Sequence, residues 1–158
     1  MTYVTNSDFE TQELAKKMAA SLKPGSILAL VGDLGSGKTC FVQGLAKGLK
    51  IPDNIPIASP TYVLIHEYPE GTLPLTHFDF YRLEKKEEAV HLDLEEYFDG
   101  KGISVVEWAD RFPELFPSQT RWIYFEHVGE NARKIKICHP ERSEGSRDSS
   151  PSTSSGSE

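Results

Sequence analysis

Basic residues are in short supply in this 158-residue chain: 17 Lys and Arg stand against 24 Asp and Glu, for a formal net charge of −7. Nucleic-acid binding depends on a clustered cationic excess facing phosphate, so the chain is not expected to grip RNA or DNA by itself. Cysteine is nearly absent, with only Cys40 and Cys138. Two are too few for a disulfide framework; free thiols in a reducing compartment are the expectation. No apolar run approaches the roughly 18 residues that cross a bilayer. Met1 to Glu13 also lacks the basic patch and apolar stretch of a signal peptide, so a cytoplasmic location with no membrane contact is expected. Aliphatic and aromatic residues are missing altogether after Ile137. Such a segment cannot bury enough apolar surface to offset its ordering entropy. One folded domain is therefore expected over residues 1–137, and a disordered, Ser-rich tail over 138–158.

The first 137 residues alternate between two hydrophobic periods. Ser7 and Glu10 fit a capping box, and Leu14, Ala15, Met18, Ala19 and Leu22 follow at helical spacing until Pro24-Gly25. Ile27 to Val31 is continuously apolar, as in a strand covered on both faces. A second helix is expected from Lys38 to Leu49. Ile55 to Pro60 reads as a loop, Thr61 to Tyr68 and Leu73 to Phe80 as strands, and Glu84 to Phe98 as one helix. Ile103 to Val106 is a short buried strand. Trp122 to Glu126 and Lys134 to Ile137 form a closing hairpin around Gly129-Glu130-Asn131. This order implies an α/β fold: a single-domain, P-loop NTPase-like mixed β-sheet flanked by helices.

Between the buried strand and the second helix lies Gly32-Asp33-Leu34-Gly35-Ser36-Gly37-Lys38-Thr39, which matches G-x-x-x-x-G-K-[ST]. Glycines permit backbone angles that turn several N–H groups inward around phosphate oxygens. The helix start adds its positive dipole end. Lys38 would reach the β- and γ-phosphates of ATP, and the Thr39 hydroxyl would ligate Mg²⁺. Such a site needs carboxylates for the metal and the attacking water. Asp79 and Glu107 stand at strand ends, where ligands bind in open α/β sheets; the pattern alone leaves open that each is a capping or surface acid. Ser59-Pro60-Thr61 is either an ordinary turn or a switch loop near the γ-phosphate. His66, His77 and His91 show no metal spacing and read as structural or exposed. Phe80, Tyr81 and Trp108 read as packing groups.

Four stretches in order resemble the bacterial TsaE (YjeE) family, an ATPase of N6-threonylcarbamoyladenosine (t6A) synthesis in tRNA: Gly32 to Thr39, Ser59-Pro60-Thr61-Tyr62, His77 to Leu83, and Val106-Glu107-Trp108. Glu87-Glu88, Tyr97-Phe98 and Ala132-Arg133 also fit, and the likeness covers roughly residues 7 to 137. The resemblance implies that Leu34, Gly35, Ser36, Gly37, Lys38 and Thr39 bind the phosphates. It implies that Thr39, Asp79 and Glu107 surround Mg²⁺, Glu107 also orienting the water, and that Lys38, Asp79 and Glu107 carry the chemistry. Thr61 would sit in a nucleotide-sensing switch and Trp108 would line the site. The base would lie near Asp8 to Thr11 and Asp110. The implied partners are TsaD and TsaB, which would hold the tRNA. Two positions depart from the family. Cys40 stands where a second Thr is usual and offers the α-phosphate a weak thiol donor; Asp93 replaces an expected Gly.

Three other functions fit the same loop. A small-molecule kinase usually adds a lid with paired arginines; Arg82, Arg111, Arg121 and Arg133 are present, but no Arg-rich insertion. A GTPase usually carries Asn-Lys-x-Asp, which is absent. A non-catalytic, ATP-dependent assembly factor would use Asp79 and Glu107 only for Mg²⁺.

Overall fold

The computed structural model describes residues 1–139. The tail expected to be disordered lies outside these residues, apart from Cys138 and His139. Seven strands form one sheet: β1 (Thr2–Thr5), β2 (Ile27–Val31), β3 (Ile65–Tyr68), β4 (Leu75–Asp79), β5 (Ile103–Glu107), β6 (Arg121–His127) and β7 (Arg133–Cys138). Their spatial order is β1-β7-β6-β2-β5-β4-β3. The inner four, β6, β2, β5 and β4, run parallel. Antiparallel β3 closes one side; on the other, β7 runs antiparallel to β6, and β1 antiparallel to β7. The mixed α/β sheet is thus the expected class.

The apolar run of β2 is divided between the two faces by strand alternation. Leu28 and Leu30 join Val105, Ile123 and Phe125 under α1 (Asp8–Ala19) and α2 (Lys38–Gly48). Ile27 and Ala29 join Phe78, Phe80 and Val106 on the opposite face. That second layer is closed by α3 (Lys86–Val90), α4 (Leu94–Phe98) and two short 3-10 turns at Ala109–Arg111 and Pro113–Leu115. Helices α1 and α2 pack unusually close. A Cβ on Gly44 would stand 2.4 Å from the Gln12 carbonyl oxygen, so no larger residue fits without moving α1. This contact fixes the α2 N-terminus against the Asp8 end of α1.

Helix α1 starts as expected at Ser7, whose Oγ accepts from the Glu10 amide at 3.1 Å. Glu10 reaches back to the Asn6 amide at 2.8 Å, one residue before the cap. Three expectations need correction. β1 is an additional strand; its stability comes from pairing with distant β7, a contact no local pattern reports. Residues 61–64 form a turn rather than the first half of a strand: the Leu64 amide bonds the Pro60 carbonyl, with Leu64 at φ 73°. The single helix expected over Glu84 to Phe98 is two, separated where Asp93 adopts φ 55°. Left-handed backbone is where glycine is most at ease, and Asp tolerates it better than most residues. Strand β7 runs from Arg133 to Cys138, one residue longer at each end than the expected Lys134 to Ile137. No helix among the described residues is long and apolar enough to cross a membrane.

Candidate functional site

The C-terminal ends of β2, β4 and β5 open into a cleft of about 400 Å³, within the usual size of a small-molecule site. Its floor is the loop between β2 and α2. Gly37 precedes α2 at φ 109°, which an L side chain rarely adopts. Gly32 has no room for a side chain, since a Cβ there would stand 2.5 Å from Ser36 Oγ and 2.9 Å from the Phe125 carbonyl. These two positions bend the loop around the Lys38 ammonium. Lys38 Nζ donates to the carbonyls of Gly32 and Asp33, the latter at 2.9 Å, and lies 4.2 Å from the Trp108 ring centroid. Burial holds its pKa below the usual lysine value, opposed by the carboxylates of Glu107, Asp79, Asp110 and Asp33. The ammonium is buried and bonded only to neutral partners, and a phosphate oxygen would be a stronger acceptor than either carbonyl.

Asp79 and Glu107 are paired in register at the ends of adjacent parallel strands, and both are buried. Glu107 accepts from the Thr39 hydroxyl at 3.0 and 3.2 Å, and its Oε2 lies 2.7 Å from His77 Nε2. Asp79 Oδ2 accepts from the hydroxyls of Ser59 and Thr61, the latter at 3.1 Å; Oδ1 accepts from the Tyr81 amide at 2.8 Å. The 59–61 loop is therefore fastened to the site through one carboxylate. Trp108, at φ 59°, turns the chain out of β5 and packs against Tyr81, with ring centroids 4.9 Å apart and the planes tilted by 46°.

The expected residues divide as follows. Asp8, Leu34, Gly35, Gly37, Lys38 and Thr39 line the cleft. So do Cys40, Thr61, Asp79, Glu107 and Trp108. Ser36 lies buried beneath the loop, and Gly32 anchors it. Thr11 does not line the cleft; its hydroxyl is buried against Thr5 at 2.7 Å. Asp110 is exposed and meets Lys38 only through space. Cys40 donates its thiol to the Asp8 carbonyl at 3.3 Å. Burial first, then Asp8, push that thiol up to about 11.

Ser59, offered by the sequence as part of a turn or a switch loop, belongs with Thr61 on Asp79. Tyr81, expected only to pack, also lines the cleft, and two further groups of the site were not assigned to it. His77 is fully buried against Glu107; its two-residue spacing from Asp79 on one strand face was the available signal. Arg133 lines the cleft from the far hairpin.

Among the described residues no three His, Cys, Asp or Glu side chains form a metal cage. Thr39, Asp79 and Glu107 offer a small set of hard oxygen donors instead. That set suits Mg²⁺, which keeps waters and shares its shell with phosphate, better than a metal needing a full protein cage.

The family model described as threonylcarbamoyl adenosine biosynthesis protein TsaE matches residues 5–135. The tRNA threonylcarbamoyladenosine biosynthesis protein TsaE of Bacillus subtilis is 45% identical over 126 residues, 80% of this chain and 77% of that protein. The Nostoc sp. protein of that name is 48% identical over 142 residues, 87% of this chain and 85% of its own. The one from Treponema pallidum is 36% identical over 138 residues, covering 87% of this chain and 100% of its own. The crystal structure of Bacillus subtilis YdiB shares the fold with a TM-score of 0.76 at 37% identity, over 89% of this chain and 86% of that one. The resemblance carried by the four ordered stretches thus extends to most of the chain and its fold, and the chain belongs to the TsaE family of tRNA threonylcarbamoyladenosine biosynthesis proteins.

Proposed function

We propose that the protein is a cytoplasmic, Mg²⁺-dependent ATPase that acts with TsaD and TsaB in t6A synthesis. The observation that carries the reading is the convergence of Lys38, Thr39, Asp79 and Glu107 at one end of a glycine-bent loop. The loop and the α2 N-terminus suit a polyphosphate. Lys38 would move from its carbonyl partners to phosphate oxygens, exchanging dipoles for full charges. Thr39, Asp79 and Glu107 would hold the cation, which when bound screens the charge developing on the phosphates. Glu107, fixed from two sides by Thr39 and His77, is the carboxylate placed to orient a water for attack on the terminal phosphorus. The water oxygen would bond to that phosphorus as its proton passes to Glu107, the bond to the bridging oxygen would break, and ADP would leave with the electron pair.

The 59–61 loop links this chemistry to a partner. A cation taken up by Asp79 Oδ2 would compete with the bonds that this oxygen accepts from Ser59 and Thr61. Next to them, Tyr62 and Val63 are exposed apolar side chains, 82% and 62% accessible. Nucleotide state is thereby coupled to the presentation of these two residues. The acidic chain agrees with a partner holding the tRNA.

The test is phosphate release from Mg·ATP by the purified chain, alone and with TsaD, TsaB and tRNA. Slow release alone that changes severalfold with the partners is expected. Release that ignores them would leave an ATP site but remove the proposed place in tRNA modification.

A further inference from the structure

Arg133 opens β7 and is pinned on both sides, opposite His127 of β6 and Thr5 of β1. From there its side chain runs back over the phosphate loop, 98 residues away in sequence from Gly35. Nη2 donates to the Gly35 carbonyl at 3.3 Å, and Nη1 to those of Ala132 and Glu130 at 3.2 and 3.5 Å. Its Cγ and Cδ pass beside Gly37, 3.8 Å from where a Cβ there would stand. Nε is buried with no partner. The two ion pairs among the described residues are His77–Glu107 and Lys86–Glu114, so no carboxylate neutralises Arg133.

A guanidinium carries five donors and a permanent charge, and its fork matches phosphate oxygens. Here it is steadied by backbone carbonyls, which orient it without cancelling its charge. It lines the same cleft as Lys38. Lys38 lies against the Gly32 and Asp33 carbonyls and the Trp108 ring; Arg133 lies over Gly35 and Gly37. The two cations therefore meet different parts of the loop.

We propose that Arg133 is a second phosphate-binding cation of this site. It grips a nucleoside di- or triphosphate at the end away from Asp79 and Glu107, through the part that ATP and ADP share. This rests on the nucleotide reading of the cleft and adds to it a contact that survives hydrolysis. Arg133 retains the product as firmly as the substrate, so its loss speeds ADP escape.

The experiment is calorimetric titration of the wild-type chain, Arg133→Gln and Arg133→Lys with Mg·ATP and Mg·ADP, with the melting temperature of each free protein measured alongside. Arg133→Gln is expected to weaken both nucleotides equally, by about ten- to a hundredfold. Arg133→Lys, which keeps charge but loses the fork, should fall between; it also carries the test if the glutamine variant does not fold. Unchanged affinity for both nucleotides in the folded variants would overturn the proposal. So would a loss confined to ATP, which would put Arg133 at the terminal phosphate. A wild-type chain that binds neither nucleotide would instead overturn the underlying reading of the cleft.

Discussion

Replacing Lys38 with alanine is expected to weaken Mg·ATP binding by about a hundredfold or more while leaving the free chain folded. Lys38 is buried and its ammonium is held by two loop carbonyls, with Glu107 and Asp79 nearby. Hydrogen bonds to charged groups contribute about 1.5–3 kcal/mol each, and about 1.4 kcal/mol is a factor of ten. Two such contacts to phosphate suffice for the predicted loss. The free fold depends on them far less, because burial already works against the charge, as its lowered pKa records. Thermal melting separates the two effects. The variant should melt within a few degrees of the wild type without nucleotide, and should lose the upward shift that bound ligand gives. A variant still stabilised by Mg·ATP would show that the loop does not use Lys38 for phosphate.

Glu107→Gln is expected to keep nucleotide affinity within about tenfold and to lower turnover by about 10²–10⁴-fold, the range typical of a positioned base. Glutamine preserves the shape of the side chain. Its amide can still meet the Thr39 hydroxyl, which donates or accepts, so the fold should tolerate the change. Alanine is the poorer probe. It would leave the Thr39 hydroxyl and His77 Nε2 without their shared partner in a buried place, at about 1–3 kcal/mol for each unsatisfied group. Rapid-quench phosphate release together with a binding titration distinguishes the outcomes. Turnover within a few-fold of wild type would remove Glu107 from the chemistry. Loss of binding in a folded variant would make it chiefly a metal or structural residue.

The parts of the site legible in the sequence were those where local pattern and chemistry coincide. The loop from Gly32 to Thr39 lies between a continuous apolar strand and an amphipathic helix, so motif and context reinforce each other. Asp79 and Glu107 were readable because each ends a strand. What could not be read depends on contacts between distant segments. Arg133 reaches Gly35 only through the β6–β7 hairpin. Strand β1 exists by virtue of β7. Thr61 to Leu64 has the β-branched and aromatic content of a strand, yet Thr61 is held in a turn by the Asp79 carboxylate, 18 residues on. Thr11 was placed near a base on resemblance, whereas its hydroxyl serves the junction with Thr5. His77 was passed over because no metal spacing surrounds it; the partner that gives it meaning, Glu107, comes from the neighbouring strand.

The central claim is that this cleft supplies nucleotide-dependent function to t6A synthesis. The most direct measurement is the t6A content of tRNA, by nucleoside mass spectrometry, in a bacterial strain depleted of its own TsaE. The strain would express either this chain or its Lys38→Ala variant at matched levels. Restoration of t6A by the wild-type chain and not by the variant is the predicted result. Equal restoration by both, or none by a well-expressed wild-type chain, would contradict it.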